Sequence, residues 1–331
     1  YTAAFVYGRA MQQHGFIVAS ARVLKRAWQI YVAHVFLLAI YLAEIAYVSS
    51  SFDNPLYTEE MGVLNFLKNP DVTILQALLL KFKPVNMDVL PLYILLLLWF
   101  PPMLWLLLRA PSLALITSAS VYAFMWLFEW NLPAYPSGTW LFNPFAWQLL
   151  FVFGAWCALG GAENLSRWVH SPAMVGLAIT YLLFAFAIAM TWYFPRLAVY
   201  VPKWVGDAIY PIDKTNLDVL RIMHFLALAI ITVAFVPRDW PALKSWIFWP
   251  AIVCGQHSLE TFCLGVFLSF AGHFVFTEVS NRVLTQIVVS FAGIAIMVAV
   301  AALISWYRQA ERRGGGPRPP AAKPGYAGGE L

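Results

Sequence analysis

The chain has 331 residues, of which 61% are hydrophobic and only 11% are charged, against roughly 25% charged residues in an ordinary soluble domain. This composition excludes a soluble globular protein, because apolar stretches such as residues 90–108 and 283–307 are long enough to cross a bilayer. The net charge of +5 does not indicate nucleic-acid binding, since the lysines and arginines lie in short clusters beside apolar runs. We therefore predict an all-α polytopic bundle of transmembrane helices.

Hydropathy predicts a partial span at residues 1–11 and eight complete spans after it. The complete spans are predicted at residues 27–48, 90–108, 112–130, 144–162, 173–194, 218–236, 257–276 and 283–306. Pro101 and Pro102 predict a kink or break in the second of these. Because the chain begins at Tyr1 without a methionine, we expect one further span before it and ten in the whole protein.

The distribution of basic residues predicts the orientation in the membrane. Residues 307–331 are basic and rich in Gly and Pro, so we expect a disordered cytoplasmic tail after a membrane domain of residues 1–306. Counting crossings back from the tail places the connection at residues 9–26 on the same side. The opposite face receives residues 49–89, within which residues 72–82 predict an amphipathic surface helix.

Ionisable residues are costly inside a membrane, so each one is a candidate for function. Asp218, Arg221 and His224 are spaced i, i+3 and i+6 in the sixth complete span, which predicts a slanting polar stripe. Three further polar residues precede this stripe at the predicted outer mouth: Asp213, Lys214 and Asn216. The alternative is an interfacial ion pair between Asp218 and Arg221, with His224 bonded to a neighbouring helix.

A second cluster lies at the start of the seventh complete span, where His257 and Glu260 are spaced i, i+3 beside Ser258. These residues suit proton transfer. Alternatively, Ser258 caps the helix and Glu260 interacts with the positive end of its dipole, which leaves His257 without a role.

Three polar residues stand within other apolar segments. His34 lies about two turns into the first complete span, where an interhelical hydrogen bond is the alternative to a role in the reaction. Asn143 and Gln148 flank a helix that starts with proline, and their amides suit recognition of a sugar or a carbonyl group. Helix capping is the alternative for Asn143.

Several familiar chemistries have no signature in the sequence. It contains no GxSxG, HExxH, Walker A or GxGxxG motif, and its three cysteines form no CxxC pair. We therefore predict no metal site. The remaining acids, bases and amide donors suit proton transfer and oxyanion stabilisation during group transfer.

Four blocks of the sequence together resemble one known family. The blocks are NMDVLPLYILLLLWFPP (86–102), FNPFAWQLLFVFGAW (142–156), DKTNLDVLRIMHFLALA (213–229) and CGQHSLETFCLGVFLSF (254–270). In this order they resemble the OpgC family, membrane proteins that acylate osmoregulated periplasmic glucans. The similarity covers almost the whole chain, and residues 1–11 resemble the end of that family's second span.

The resemblance implies an O-acyltransferase of the bacterial inner membrane that moves an acyl group, typically succinyl, from cytoplasmic acyl-CoA to a glucan hydroxyl. Related acyltransferases use a histidine of their first span, which would precede Tyr1. The supporting catalytic residues are then expected to be His224, Arg221, Asp218, Glu260 and His257, with Asp213, Lys214, Asn216, Asn143, Gln148 and His34 binding substrate.

On the cytoplasmic side, Arg22, Lys25 and Arg26 are expected to contact the phosphates of acyl-CoA, although positive charge near that surface explains them equally well. Two other functions fit the same residues. One is a proton-coupled carrier of a small anion or sugar, since intramembrane acids and bases also mark ion pathways. The other is a structural subunit of a glucan export complex.

Overall fold

The computed structural model describes residues 1–52, 59, 61–199, 201–237 and 240–314. These residues form helices and loops, with one isolated β-bridge between Pro133 and Thr139. Seven helices of the described chain are long and apolar enough to cross a membrane. The predicted all-α polytopic fold is confirmed. The chain divides into two compact units, Tyr1–Asp239 and Trp240–Leu331.

The first unit contains eleven helices within the residues that the structure describes. They are α1 (Thr2–Phe52), α2 (Leu64–Lys68), α3 (Pro70–Leu78), α4 (Val89–Arg109), α5 (Pro111–Phe128), α6 (Pro144–Trp156), α7 (Ala162–Val169), α8 (Pro172–Tyr193), α9 (Pro195–Ala198), α10 (Lys203–Ile209) and α11 (Val219–Phe235). A π-helical turn, Cys157–Gly161, joins α6 to α7. Helix α11 coincides with the span predicted at residues 218–236. The surface helix predicted at residues 72–82 corresponds to α3, which is shorter and ends at Leu78.

The sequence predicts three parts at the start of the chain: a partial span, a connection at residues 9–26 and a separate span. The structure has a single helix, α1, in their place. It is interrupted only at Gly15, whose φ of 80° and ψ of 175° are not helical. Glycine adopts a positive φ without the cost that other residues incur. The change of direction therefore falls at this glycine, and the residues on both sides of it remain helical.

Helix α4 runs unbroken from Val89 to Arg109, so of the kink or break predicted at Pro101 and Pro102, a break does not occur. The two prolines remove two backbone donors from the helix. However, Leu97, Phe100 and Pro101 are buried where α4 packs against α1 and α6. Packing against neighbouring helices holds α4 together despite the missing hydrogen bonds.

The second unit contains a short 3-10 turn, Pro241–Lys244, followed by α12 (Trp249–Gln256), α13 (Ser258–Glu278) and α14 (Val283–Gly314). Helices α13 and α14 form a hairpin joined by residues 279–282. Helix α14 extends past residue 307, where the tail was predicted to begin, and residues 315–331 of that predicted tail lie outside the described residues.

Candidate functional site

A tight loop of residues 211–217 leads into α11 and is shaped by Asp213. Its Oδ1 accepts hydrogen bonds from the backbone N–H of Thr215 at 2.8 Å and of Asn216 at 3.1 Å. Its Oδ2 accepts from the side-chain amide of Asn216 at 2.7 Å. An aspartate that binds the N–H two residues ahead forms an Asx turn. Asp213 and Asn216, both predicted to bind substrate, therefore hold this loop in shape.

Asn143 ties the loop to the start of α6. Its amide donates to the carbonyl of Trp130 at 2.6 Å and to Oδ1 of Asn216 at 2.8 Å. Its own Oδ1 accepts from the N–H of Phe145 at 3.1 Å. The backbone N–H of Asn143 donates to the carbonyl of Thr215 at 3.1 Å. The capping interpretation of Asn143 is confirmed, and both of its amide hydrogens bind within the protein.

Gln148, the second predicted amide, faces α5. Its Oε1 accepts from the hydroxyl of Ser118 at 2.6 Å, and its Nε2 donates to the carbonyl of Ser118 at 2.8 Å. Both side chains are buried. A buried polar pair of this kind is stable because each group satisfies the other. Gln148 thus joins α5 to α6.

Asp218 caps α11, since its Oδ1 accepts from the N–H of Leu220 at 2.8 Å. This cap satisfies one of the free N–H groups at the start of the helix. Among the described residues, Asp218 forms no ion pair with Arg221, so that alternative is wrong. The cap fixes the direction in which α11 leaves the loop, and therefore the positions of Arg221 and His224.

Arg221 and His224 line the same cavity, of about 460 Å³, between α8 and α11. The ring of Tyr181 crosses the His224 ring edge-to-face with centroids 6.3 Å apart, and its hydroxyl donates to the carbonyl of Leu220 at 2.8 Å. The remaining lining is mainly aliphatic and aromatic. The Nε atom of Arg221 is buried and has no hydrogen-bond partner in the described part of the chain. A guanidinium donor in an apolar cavity suits an anionic ligand.

A second group of polar side chains surrounds the segment before α4. We call this group the Lys83 cluster; it consists of His34, Lys83, Asp88 and Trp140. The Lys83 ammonium lies 3.8 Å from the centroid of the Trp140 ring, which is only 3% exposed. This distance is within the range of a cation–π interaction. Burial lowers the pKa of Lys83 to about 8, although the carboxylate of Asp88 acts in the opposite direction.

Asp88 belongs to the same electrostatic group. Burial raises the pKa of its carboxyl, while the charges of Lys83 and, more weakly, Lys214 oppose that rise. Lys214 itself is exposed. The residues that precede α4 and the loop before α11 therefore interact electrostatically, and Asp88 lies within the fields of two lysines.

His34 is completely buried in α1 and interacts electrostatically with Lys83. Neither of its ring nitrogens has a hydrogen-bond partner in the described structure. Its predicted alternative, an interhelical hydrogen bond, is not formed there. Buried polar groups without partners are rare and call for a functional or ligand-related explanation.

The three basic residues predicted to bind acyl-CoA differ in their surroundings. Arg22 and Lys25 are exposed on α1. Arg26 is half-buried and interacts electrostatically with Tyr7 and Tyr93. Arg22 and Lys25 thus remain accessible to a phosphate, whereas Arg26 faces two tyrosines of the first unit.

In the second unit, His257 occupies the N-cap position of α13 and makes no capping hydrogen bond with its side chain. Its Nε2 lies 2.7 Å from the hydroxyl of Ser305. Glu260, in the first turn of α13, accepts a charge-assisted hydrogen bond of 2.8 Å from Arg308. The predicted capping by Ser258 is wrong, while the place of Glu260 at the positive end of the helix dipole is confirmed.

Sequence reasoning missed Lys83, Asp88 and Ser305. Lys83 and Asp88 fall in the outer segment of residues 49–89, although a charged residue directly before an apolar run is a recognisable signal. Ser305 has no comparable signal, because its partner His257 is 48 residues away. Across the described residues, no group of three His, Cys, Asp or Glu side chains is arranged to hold a metal ion.

A family model described as OpgC protein matches residues 1–309. The chain belongs to the OpgC family. Membership indicates involvement in modifying osmoregulated periplasmic glucans, and the family name implies an acyltransferase-type enzyme. Neither the curated proteins nor the solved structures contain a significant match to this chain.

Proposed function

We propose that this OpgC-family protein is an O-acyltransferase that transfers a succinyl group from cytoplasmic succinyl-CoA to hydroxyl groups of a periplasmic glucan. The family match over residues 1–309 carries this proposal, because it spans both units of the chain. We place the protein in the inner membrane with its C-terminus in the cytoplasm, since the clearest Lys/Arg clusters then fall on the cytoplasmic side.

The cavity of the first unit supports a role in binding the acyl group. Arg221 lines a space whose other walls are mainly aliphatic and aromatic, which suits a short acyl chain that ends in a carboxylate. His224 lies one turn further along α11 in the same cavity and suits proton transfer to or from the reacting oxygen. Asp218 and Asp213 act indirectly in this proposal, by positioning the helix.

The Lys83 cluster supports a second role, on the acceptor side. Trp140 is buried under the Lys83 ammonium, and Lys214 and Asp88 lie close enough to interact. Cationic donors beside an acidic group suit hydroxyl and carboxylate partners. In the second unit, Glu260 accepts one hydrogen bond from the exposed Arg308, whose remaining guanidinium donors suit the phosphates of acyl-CoA.

The proposal is tested with protein purified in detergent, radiolabelled succinyl-CoA and unlabelled glucan. We expect label in the glucan, because detergent removes any gradient and covalent transfer does not need one. A proton-coupled carrier gives no labelled glucan and transports only in sealed vesicles. In cells, if His224→Ala and Glu260→Ala both leave glucan modification intact while truncation of the protein abolishes it, the structural-subunit interpretation replaces the enzymatic one.

The role of Arg221 is tested by comparing donors. Arg221→Met should raise KM for succinyl-CoA at least about tenfold, the expected effect of losing one hydrogen bond to a charged group, and should change KM for acetyl-CoA little. Arg196→Met, at an exposed arginine of the first unit, is the matched control. Equal losses with both donors would contradict recognition of the acyl carboxylate by Arg221.

A further inference from the structure

Ser305 and His257 bring a hydroxyl within hydrogen-bond distance of an imidazole in the second unit. The Oγ atom of Ser305 lies 2.7 Å from Nε2 of His257, which is only 5% exposed. The other ring nitrogen, Nδ1, is buried and has no hydrogen-bond partner in the described chain. A hydroxyl within 2.6–3.2 Å of an imidazole nitrogen has the geometry of a nucleophile beside its base.

The packing of α13 on α14 holds these two side chains opposite each other. A Cβ atom built at Gly265 would lie 3.5 Å from Sδ of Met297, and one at Gly272 would lie 3.3 Å from Cγ1 of Val289. The tighter contact, at Gly272, shows that the two antiparallel helices approach closely there. The same register, continued toward the start of α13, pairs residue 257 with residue 305.

Ser305 lies about one membrane thickness along α14. At about 1.5 Å per residue, it is about 33 Å along α14 from Val283, close to the ~30 Å thickness of the hydrocarbon layer. Trp306 and Tyr307 follow it and are exposed, as is typical of residues at the membrane–water interface. Arg308, 52% exposed, lies one turn beyond; its Nη2 pairs with Glu260, and its other guanidinium donors suit a phosphate.

We propose that Ser305 is the nucleophile that accepts the acyl group from the thioester donor, with His257 as its base; this proposal rests on the acyltransferase function proposed above. With the imidazole proton on Nδ1, Nε2 accepts the hydroxyl proton as Oγ attacks the thioester carbonyl carbon. The carbon–sulfur bond then breaks, the thiolate takes that proton from Nε2, and an ester forms on Ser305.

The return step restores the enzyme with the same groups. An acceptor hydroxyl that reaches this end of α14 attacks the ester carbonyl and gives its proton to His257, which passes it to the departing Ser305 oxygen. The start of α13 supplies donors for the oxyanion in both steps, because the His257 side chain leaves the first-turn N–H groups without a side-chain cap.

The test uses the protein encoded by the full-length gene, incubated with succinyl-CoA or acetyl-CoA in the absence of glucan and quenched in acid. Mass spectrometry should find one acyl group on the peptide that contains Ser305, as an ester that alkaline hydroxylamine releases. In detergent, which opens both faces of the protein, adding glucan should discharge it. Ser305→Ala should abolish the adduct, and Ser305→Cys should carry a thioester that neutral hydroxylamine cleaves.

Ser290→Ala removes another serine hydroxyl from α14 and is the matched control, which should label like the wild type. His257→Gln should slow formation of the ester at least about 100-fold, the usual contribution of a general base. If the wild type acylates glucan without an adduct, or Ser305→Ala acylates glucan at the wild-type rate, the proposal is overturned while the acyltransferase function stands. If no variant or wild type acylates glucan, the proposed function itself fails.

Discussion

Replacing Asn143 by alanine removes the side chain that joins the loop of residues 211–217 to α6. The side chain makes three hydrogen bonds. It donates two, to Trp130 and to Asn216, and it accepts one from the N–H of Phe145, which caps the helix. It is completely buried, so water does not replace these partners. Loss of an N-cap costs about 1 kcal/mol, and each donated bond adds about 1 kcal/mol. We expect Asn143→Ala to lower the free energy of unfolding by about 3 kcal/mol.

Ser171→Ala provides the matched comparison, because Ser171 caps α8 through a single hydrogen bond of 3.2 Å to the N–H of Met174. This substitution should cost only about 1 kcal/mol. Reversible unfolding in mixed micelles, followed by the helical circular dichroism signal, measures both variants under the same conditions. If Asn143→Ala is no more destabilising than Ser171→Ala, the two donated bonds contribute nothing measurable, and the loop is not held by Asn143.

Three further predictions address other parts of the molecule. Burial lowers the pKa of Lys83 in the folded state to about 8, whereas the pKa of a free lysine is ~10.4. The free energy of unfolding should therefore rise between these two pH values. Lys83→Met should remove that rise in a pH series of unfolding curves. Gln148→Leu leaves the buried Ser118 hydroxyl without its partner and should cost about 2 kcal/mol, whereas Ser118→Ala in the same chain should recover part of this loss in a double-mutant cycle. Gly272→Leu places a side chain against Val289 between α13 and α14. Cross-linking between cysteines placed at residues 257 and 305 should therefore fall relative to Gly272→Ala. Unchanged cross-linking would contradict the register described for α13 and α14.

The local signals of this chain were reliable where a residue acts on its own helix. Asn143 and the proline after it indicated the start of a helix, and the structure confirms that Asn143 caps α6. The apolar run after Asp218 predicted α11 to within a residue at each end. These features follow from neighbouring residues, because capping and hydrophobic periodicity operate over one or two turns of chain.

Predictions that depended on distant partners were less complete. The prolines of α4 indicated a kink or a break, and burial against other helices keeps α4 continuous, so a break does not occur. Asp218 was interpreted beside Arg221 because the two are close in sequence, yet its carboxylate binds the N–H of Leu220 instead. A backbone donor two residues away competes well with a side chain one turn away, since little chain entropy is lost in forming the bond.

By itself, the sequence determined that this is an all-α membrane protein of the OpgC type, because apolar length and four ordered motifs are properties of contiguous residues. Only the tertiary structure decided which polar groups remain available to a ligand. It engages Asp213, Asn143 and Gln148 in internal hydrogen bonds, and it places Arg221 with His224 in one cavity and Ser305 against His257. The physical reason is that a polar side chain buried in a bundle binds whichever donor or acceptor the helix packing brings near it, and that partner is often far away in the sequence.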